Sequence, residues 1–168
     1  MIPPMDQIMD DRKYSVEELV KAYMAGLVDG AGSFSVQVHK DTNYKSGYAF
    51  AAFFKMNHRQ QEALVDFANW AEDQGVEVSV EGESSLTVGK IDDLKLLIET
   101  LRPFVRTKAL DVEILAEEII PRIEAGEHTS EDGLIELMGY VEQMPSVNMS
   151  NRKYTQDYFI EEFKEESA

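Results

Sequence analysis

The 168-residue chain has no cysteine, which excludes disulfides and thiolate metal sites and fits a reducing, cytoplasmic setting. Histidine is scarce, three in all, with no pair at helical or hairpin metal spacing, so a zinc site is not expected. No apolar run approaches the roughly 18 residues of a bilayer-spanning helix, so no membrane partner is expected either. Met1 to Asp11 carries two prolines and three acids, unlike a signal or transit peptide. Basic residues are also few: 16 Lys and Arg face 32 Asp and Glu, a net charge of −16 spread along the chain. That balance reads as a solvated acidic surface of the kind a salt-accumulating halophile uses for solubility. It supplies no basic footprint for nucleic acid. At ~1 M salt, however, the Debye length is only about 3 Å, and a few local bases can still hold phosphates.

What is present specifies a folded domain. Apolar residues make up 43% of the chain, with eight Phe, seven Tyr and one Trp. Residues 1–14 read as a flexible lead-in, 15–145 as the main domain, and 146–168 as a tail with a short helix. Ser15 and Glu18 form a capping box that opens a helix running to about Asp29, where Gly30 and Gly32 stop it. The period then changes to two: Phe34, Val36 and Val38 alternate with Ser33, Ser35, Gln37 and His39. After a turn-rich stretch from Lys40 to Gly47, a second strand sets Phe50, Ala52, Phe54 and Met56 against a face that is also largely apolar, leaving its register open. Residues 59–74 predict a helix, Val76–Val80 and Ser85–Val88 a hairpin, and Ile91–Leu101 a helix ended by Pro103. Further helices are predicted over Thr107–Ile120, stopped or kinked at Pro121, from Ser130 to before Pro145, and over Gln156–Phe163. The order predicts an α+β fold, a four-stranded antiparallel sheet covered by helices on one face. Phe34, Phe50, Phe54, Met56, Phe67 and Trp70 are the expected core, and the acids of Asp111–Glu118 the solvated face of a helix.

Ala22, Gly26 and Gly30 recur every four residues along the first helix. Small residues at that spacing let two helix backbones approach closely. A mid-helix glycine costs up to ~1 kcal/mol, which a close partner would offset. Either a second copy of the same helix approaches, giving a two-fold dimer, or Gly26 accommodates a neighbour within the chain.

Met24-Ala25-Gly26-Leu27-Val28-Asp29-Gly30-Ala31-Gly32 resembles the signature nonapeptide of the LAGLIDADG homing endonucleases. The likeness extends to the Gly-Ser-Phe entry into an alternating strand, the two helix-plus-hairpin steps, and Arg102-Pro103-Phe104-Val105-Arg106-Thr107-Lys108, features of the single-motif, homodimeric branch. It implies a homodimer whose motif helices pair through Ala22, Ala25, Gly26, Asp29 and Gly30, on double-stranded DNA, with Mg²⁺-dependent cleavage. In such enzymes the eighth motif residue is a metal-ligating carboxylate. Here it is Ala31, which cannot coordinate a cation, so backbone oxygens of Gly30 or Ala31 are the most this end could offer. Asp29, two residues earlier on a helix, points about 200° away and is better suited to ordering the helix end. The chain is then a DNA binder that lost cleavage, an enzyme into which alanine was introduced, or an enzyme using another carboxylate.

The same resemblance places Lys108 in the active-site water network, Arg106 near the phosphates, and either His58 or, with one inserted residue, Asn57 beside the water. Base reading would fall to the outward sheet residues Ser33, Ser35, Gln37, His39, Lys55, Ser79 and Thr87, with Glu77 among them as an opposing acid. Lys40, Lys45, Arg152 and Lys153 are the bases available for flanking phosphates. A noncatalytic DNA-binding regulator or an RNA-splicing helper on the same fold is the alternative function.

Overall fold

A computed structural model of the chain describes residues 14–166; most of the lead-in expected over 1–14 lies outside the described residues. Helix α1 spans Val16–Ala31, and strands β1 and β2 span Gly32–Lys40 and Tyr48–Asn57. Helix α2 (Gln61–Asp73), strands β3 (Ser79–Glu81) and β4 (Ser85–Val88), and helix α3 (Ile91–Leu101) follow. Helix α4 (Ala109–Ile114) passes through a π turn (Leu115–Ile119) into α5 (Ile120–Glu124), and α6 (Glu131–Val141) and α7 (Gln156–Glu166) complete the order. The four strands form one sheet in the order β1-β2-β4-β3, so the α+β class and four-stranded sheet read from the sequence are those observed.

The chain gathers into two compact units, and β1 and β2 each run from one into the other. The first unit takes the described residues up to Ser33 together with Phe54–Ala109. Its core joins Val28, Phe54, Met56, Leu64, Phe67, Leu86, Leu94 and Leu97, all essentially inaccessible to solvent. The rings of Phe54, Phe67 and Trp70 pack in series at centroid distances of 5.8 and 5.7 Å. Helix α1 begins as the capping signal predicts: Ser15 Oγ accepts the Glu18 N–H at 3.1 Å. It packs against α3.

The second unit comprises Phe34–Phe53 and the described residues from Leu110 on. Here Tyr48 is ringed by Tyr154, Tyr158, Phe159 and Phe163 in mostly edge-to-face contacts, the commonest favourable geometry for aromatic pairs. The Tyr48 and Tyr158 hydroxyls meet at 3.1 Å, and burial raises the Tyr48 pKa. Helix α7 packs on α6 and brings these rings together.

One open point of the sequence reading is settled and three expectations are corrected. The register of β2, left open by its two apolar faces, is settled by burial of Phe50, Ala52, Phe54 and Met56. The strand expected from Val76 begins only at Ser79, because Val76 N–H is taken by Ala71 O and Glu77 N–H by Asp93 Oδ1. The helix expected from Thr107 starts at Ala109, and Pro121 does not stop it. The Ile120 N–H bonds five residues back to Leu115 O, and this wider turn accommodates the ring and missing donor of Pro121. Finally, Asp111 is not on a solvated face: it is 1% exposed.

Candidate functional site

Helix α1 hands the chain to β1 without a loop, and Gly32 is the pivot. Its φ of −91° suits any residue. A Cβ there, however, would stand 2.6 Å from the Phe54 ring and 2.9 Å from Val28 O, so glycine is required for space. This close approach fixes the last motif residues over the first unit's core.

Asp29 serves as a clamp at that end. Its Oδ2 accepts the Arg106 N–H at 2.9 Å and its Oδ1 the Lys108 N–H at 3.0 Å, while its carbonyl accepts the Thr107 hydroxyl at 3.2 Å. The Arg106–Lys108 segment is thereby held against the motif through its main chain. That leaves the Arg106 and Lys108 side chains free of this duty, with Arg106 exposed and Lys108 half-buried.

A cleft of about 500 Å³ opens beside the same helix end, lined by Gly26, Leu27, Gly30, Ala31, Asn57, His58, Arg59 and Gln60. It brings Ala31 together with both alternatives for the water-side residue. His58 is pinned by its own N–H to Ser84 O at 3.0 Å, and its Nδ1 accepts the Gln60 N–H at 2.9 Å. A neutral ring so held carries its proton on Nε2 and presents a donor. Asn57 is exposed. The cleft lining holds one Arg, one His and no acid, in a chain with 32 acids. Sequence reading missed Arg59 and Gln60 here; only the turn after β2, which folds them back beside α1, reveals them.

The residues expected to face DNA are placed strand by strand. On β1, Ser33 and Ser35 are half-buried, and Gln37, His39 and Lys40 are exposed. Lys45 is exposed in the β1–β2 connection, and Lys55 is half-buried on β2. Lys55 pairs with Thr87 across β2 and β4, and Thr87 with Ser79 across β4 and β3, which aligns the three outward positions in the first unit. Of the acids nearby, Glu77, just before the hairpin, is bound by Lys90, and Glu81 accepts from the Thr87 hydroxyl at 3.4 Å. In the second unit Lys153 is exposed, its ammonium 5.4 Å from the Tyr154 ring centre, whereas Arg152 is half-buried and bonded to β1.

Among the described residues, the other face of α1 is bare. Val16 is 78% and Tyr23 56% exposed, and Leu19 and Val20 are exposed beside them. Gly26 and Gly30 are exposed on this helix too, and a Cβ at either would meet nothing within 4 Å among the described residues. Ala22 and Asp29 are half-exposed, but Ala25 is fully buried within the chain and has no surface to offer another helix. The bare stripe Val16, Leu19, Val20, Tyr23 was legible as a helical repeat that the core does not need.

A divalent cation does not fit these side chains. Ala31 carries no oxygen, and both Asp29 oxygens already accept N–H groups. Among the described residues no cluster of three or more His, Asp or Glu is arranged to hold a metal. Main-chain carbonyls at the helix end remain as oxygens there.

A nine-residue helix end that passes directly into the edge strand of a four-stranded antiparallel sheet, with a second helix-and-hairpin step behind it, defines a class. The model of the LAGLIDADG endonuclease family matches residues 24–111, just over half of the chain, and the chain belongs to that family. DNA endonuclease I-CreI of Chlamydomonas reinhardtii is 26% identical over 150 residues, covering 85% of this chain and 86% of I-CreI. The archaeal intron-encoded homing endonuclease I-Vdi141I, solved in complex with DNA, shares the fold with a TM-score of 0.73 at 20% identity, over 89% of this chain and 97% of that one. I-CvuI, solved with Mg on an uncleaved I-CreI target, gives 0.74 at 18% identity, over 90% of this chain and 97% of its own. No described helix is long and apolar enough to cross a membrane.

Proposed function

We propose that the chain binds double-stranded DNA sequence-specifically as a homodimer, and that with alanine at position 31 it does not cleave what it binds. The observation that carries the homodimer is the bare face of α1. Gly26 and Gly30 lie in open space among the described residues, none of which accounts for them. A second copy of α1 does: the glycines admit a close helix crossing, and Val16, Leu19, Val20 and Tyr23 lose their exposure along it.

Relatives solved on DNA support the ligand. Base reading falls to Ser33, Ser35, Gln37, His39, Lys55, Ser79 and Thr87, and Lys40, Lys45, Arg106 and Lys153 are the phosphate contacts. The acid excess makes this binding a high-salt activity, in which distant acids are screened and the local bases remain effective. Ala31 stands where the resemblance implies a metal-ligating carboxylate, so Mg²⁺ binds weakly or not at all in the chain as written. Lys108 and His58 are the side chains that would steer water in an active form, with Asn57 beside them. His58 does so as a donor, since its Nδ1 is engaged.

The test is selection of bound duplexes from a random library at low and high KCl, followed by Mg²⁺ addition to the parent and to Ala31→Asp. Cleavage of the selected site only by Ala31→Asp supports the reading of a disabled nuclease. Binding without cleavage by either form favours a noncatalytic regulator. No selectable duplex at any salt defeats the DNA-binding reading.

A further inference from the structure

Strand β1 is an edge strand, and an edge leaves main-chain carbonyls without sheet partners. One of these is occupied by a side chain from 116 residues away. Arg152 Nη1 donates to Val36 O at 2.9 Å, and its Nη2 donates to Ser35 Oγ at 2.7 Å. The guanidinium thus spans two adjacent residues of β1, one through its backbone and one through its side chain. Arg152 is half-buried, and burial lowers its pKa, which marks a group withdrawn from water. It follows a short 3-10 turn, Met149–Asn151, and precedes Tyr154, whose ring stacks on Phe159 at 5.8 Å. The tail is therefore held just beyond the arginine's contact by this ring stack.

We propose that Arg152 is a positioning residue for sequence reading: it fixes Ser35 as a hydrogen-bond donor toward the DNA base edge. Arginine has only donors, so Ser35 Oγ must accept from it. The adjacent cation also polarises the hydroxyl, making it a stronger donor and a weaker second acceptor. A serine left alone rotates and reads either a donor or an acceptor. Held in this way, Ser35 selects base edges that offer acceptors in the major groove, such as purine N7, guanine O6 or thymine O4, over the cytosine amino group. Lys153, exposed next in the chain, is the phosphate contact of the pair, while Arg152 is spent on β1. This inference rests on the DNA-binding reading above and assigns one element of its specificity.

The experiment compares duplexes selected by the parent, Arg152→Ala, Arg152→Lys and Ser35→Ala, with the salt dependence of binding to the parent's best site. Arg152→Lys keeps the charge but cannot span both acceptors. All three variants are expected to lose about fivefold of base preference at the same single base pair of each half-site, the scale of one neutral hydrogen bond. Elsewhere in the site their profiles match the parent, and the slope of log affinity against log salt is unchanged for Arg152→Lys. If Arg152→Ala is poorly folded, the lysine and Ser35 variants decide. Unchanged base preference in Arg152→Lys and Ser35→Ala overturns the proposal while leaving DNA binding intact. So does a uniform loss of affinity with a salt slope reduced by about one per chain, the mark of a phosphate contact. A parent that selects no duplex overturns this proposal and the DNA-binding reading together.

Discussion

Asp29 in the first unit and Asp111 in the second both accept two hydrogen bonds, in opposite electrostatic settings. Asp111 sits in the first turn of α4, where the helix dipole favours an anion, and is 1% exposed. Its oxygens accept the Ser146 N–H at 3.0 Å and the Ser146 hydroxyl at 2.7 Å, pinning the segment after α6 to α4. Asp29 sits in the last turn of α1, where the dipole disfavours it, and is half-exposed. Two backbone N–H groups offset that disadvantage. The buried carboxylate serves stability, whereas the other holds Arg106–Lys108 in register with the motif end at a place where stability alone would not put an acid.

Substitutions should separate the two roles. Asp111→Ala strands the half-buried Ser146 N–H and hydroxyl and is expected to cost about 3 kcal/mol, read as a lower urea midpoint; an equal loss in Asp29→Ala would erase the contrast. Gly32→Ala, at the pivot of the first unit, is expected to cost about 2 kcal/mol, because Val28 O cannot yield as a side chain does. Asp29→Ala is expected to cost about 1.5 kcal/mol, with faster amide exchange confined to Arg106 and Lys108. Gly26→Leu should leave the fold intact, or gain up to ~1 kcal/mol of helix propensity, yet shift the protein to monomer in sedimentation. A dimer that survives this change would remove the reason for the open glycines.

The smallest expected effect belongs to the second unit. His128 has a lowered pKa because it is partly buried, and its Nδ1 has no partner. The unfolded chain therefore binds this proton more readily than the native one. The contribution is fully present above the unfolded value near about 6.5 and is lost as pH falls through the folded value below it. Melting temperatures of the parent should fall between pH 7 and pH 5, and His128→Gln should flatten that slope.

Much of this was legible in the chain. The capping serine, the change of period at Gly32 and the alternation of β1 are local signals, and each element formed where they lie. The β2 register was not legible, because Ala49, Ala51 and Phe53 are as apolar as the face that is buried. The burial of Asp111 was not legible either, since its partner Ser146 is 35 residues away. Arg59 in the cleft and Arg152 on β1 look like ordinary surface bases in sequence, and only the turn after β2 and the anchored tail give them company.

The sequence by itself determined the class of fold, the helix that carries the motif and the absence of a carboxylate at residue 31, because propensity, period and residue identity act locally. The tertiary structure alone decided which face of α1 is left bare, that Asp29 is already occupied, and that Arg152 belongs to β1. Those outcomes depend on which distant groups arrive to satisfy a donor, an acceptor or an apolar surface, and chain order does not specify that.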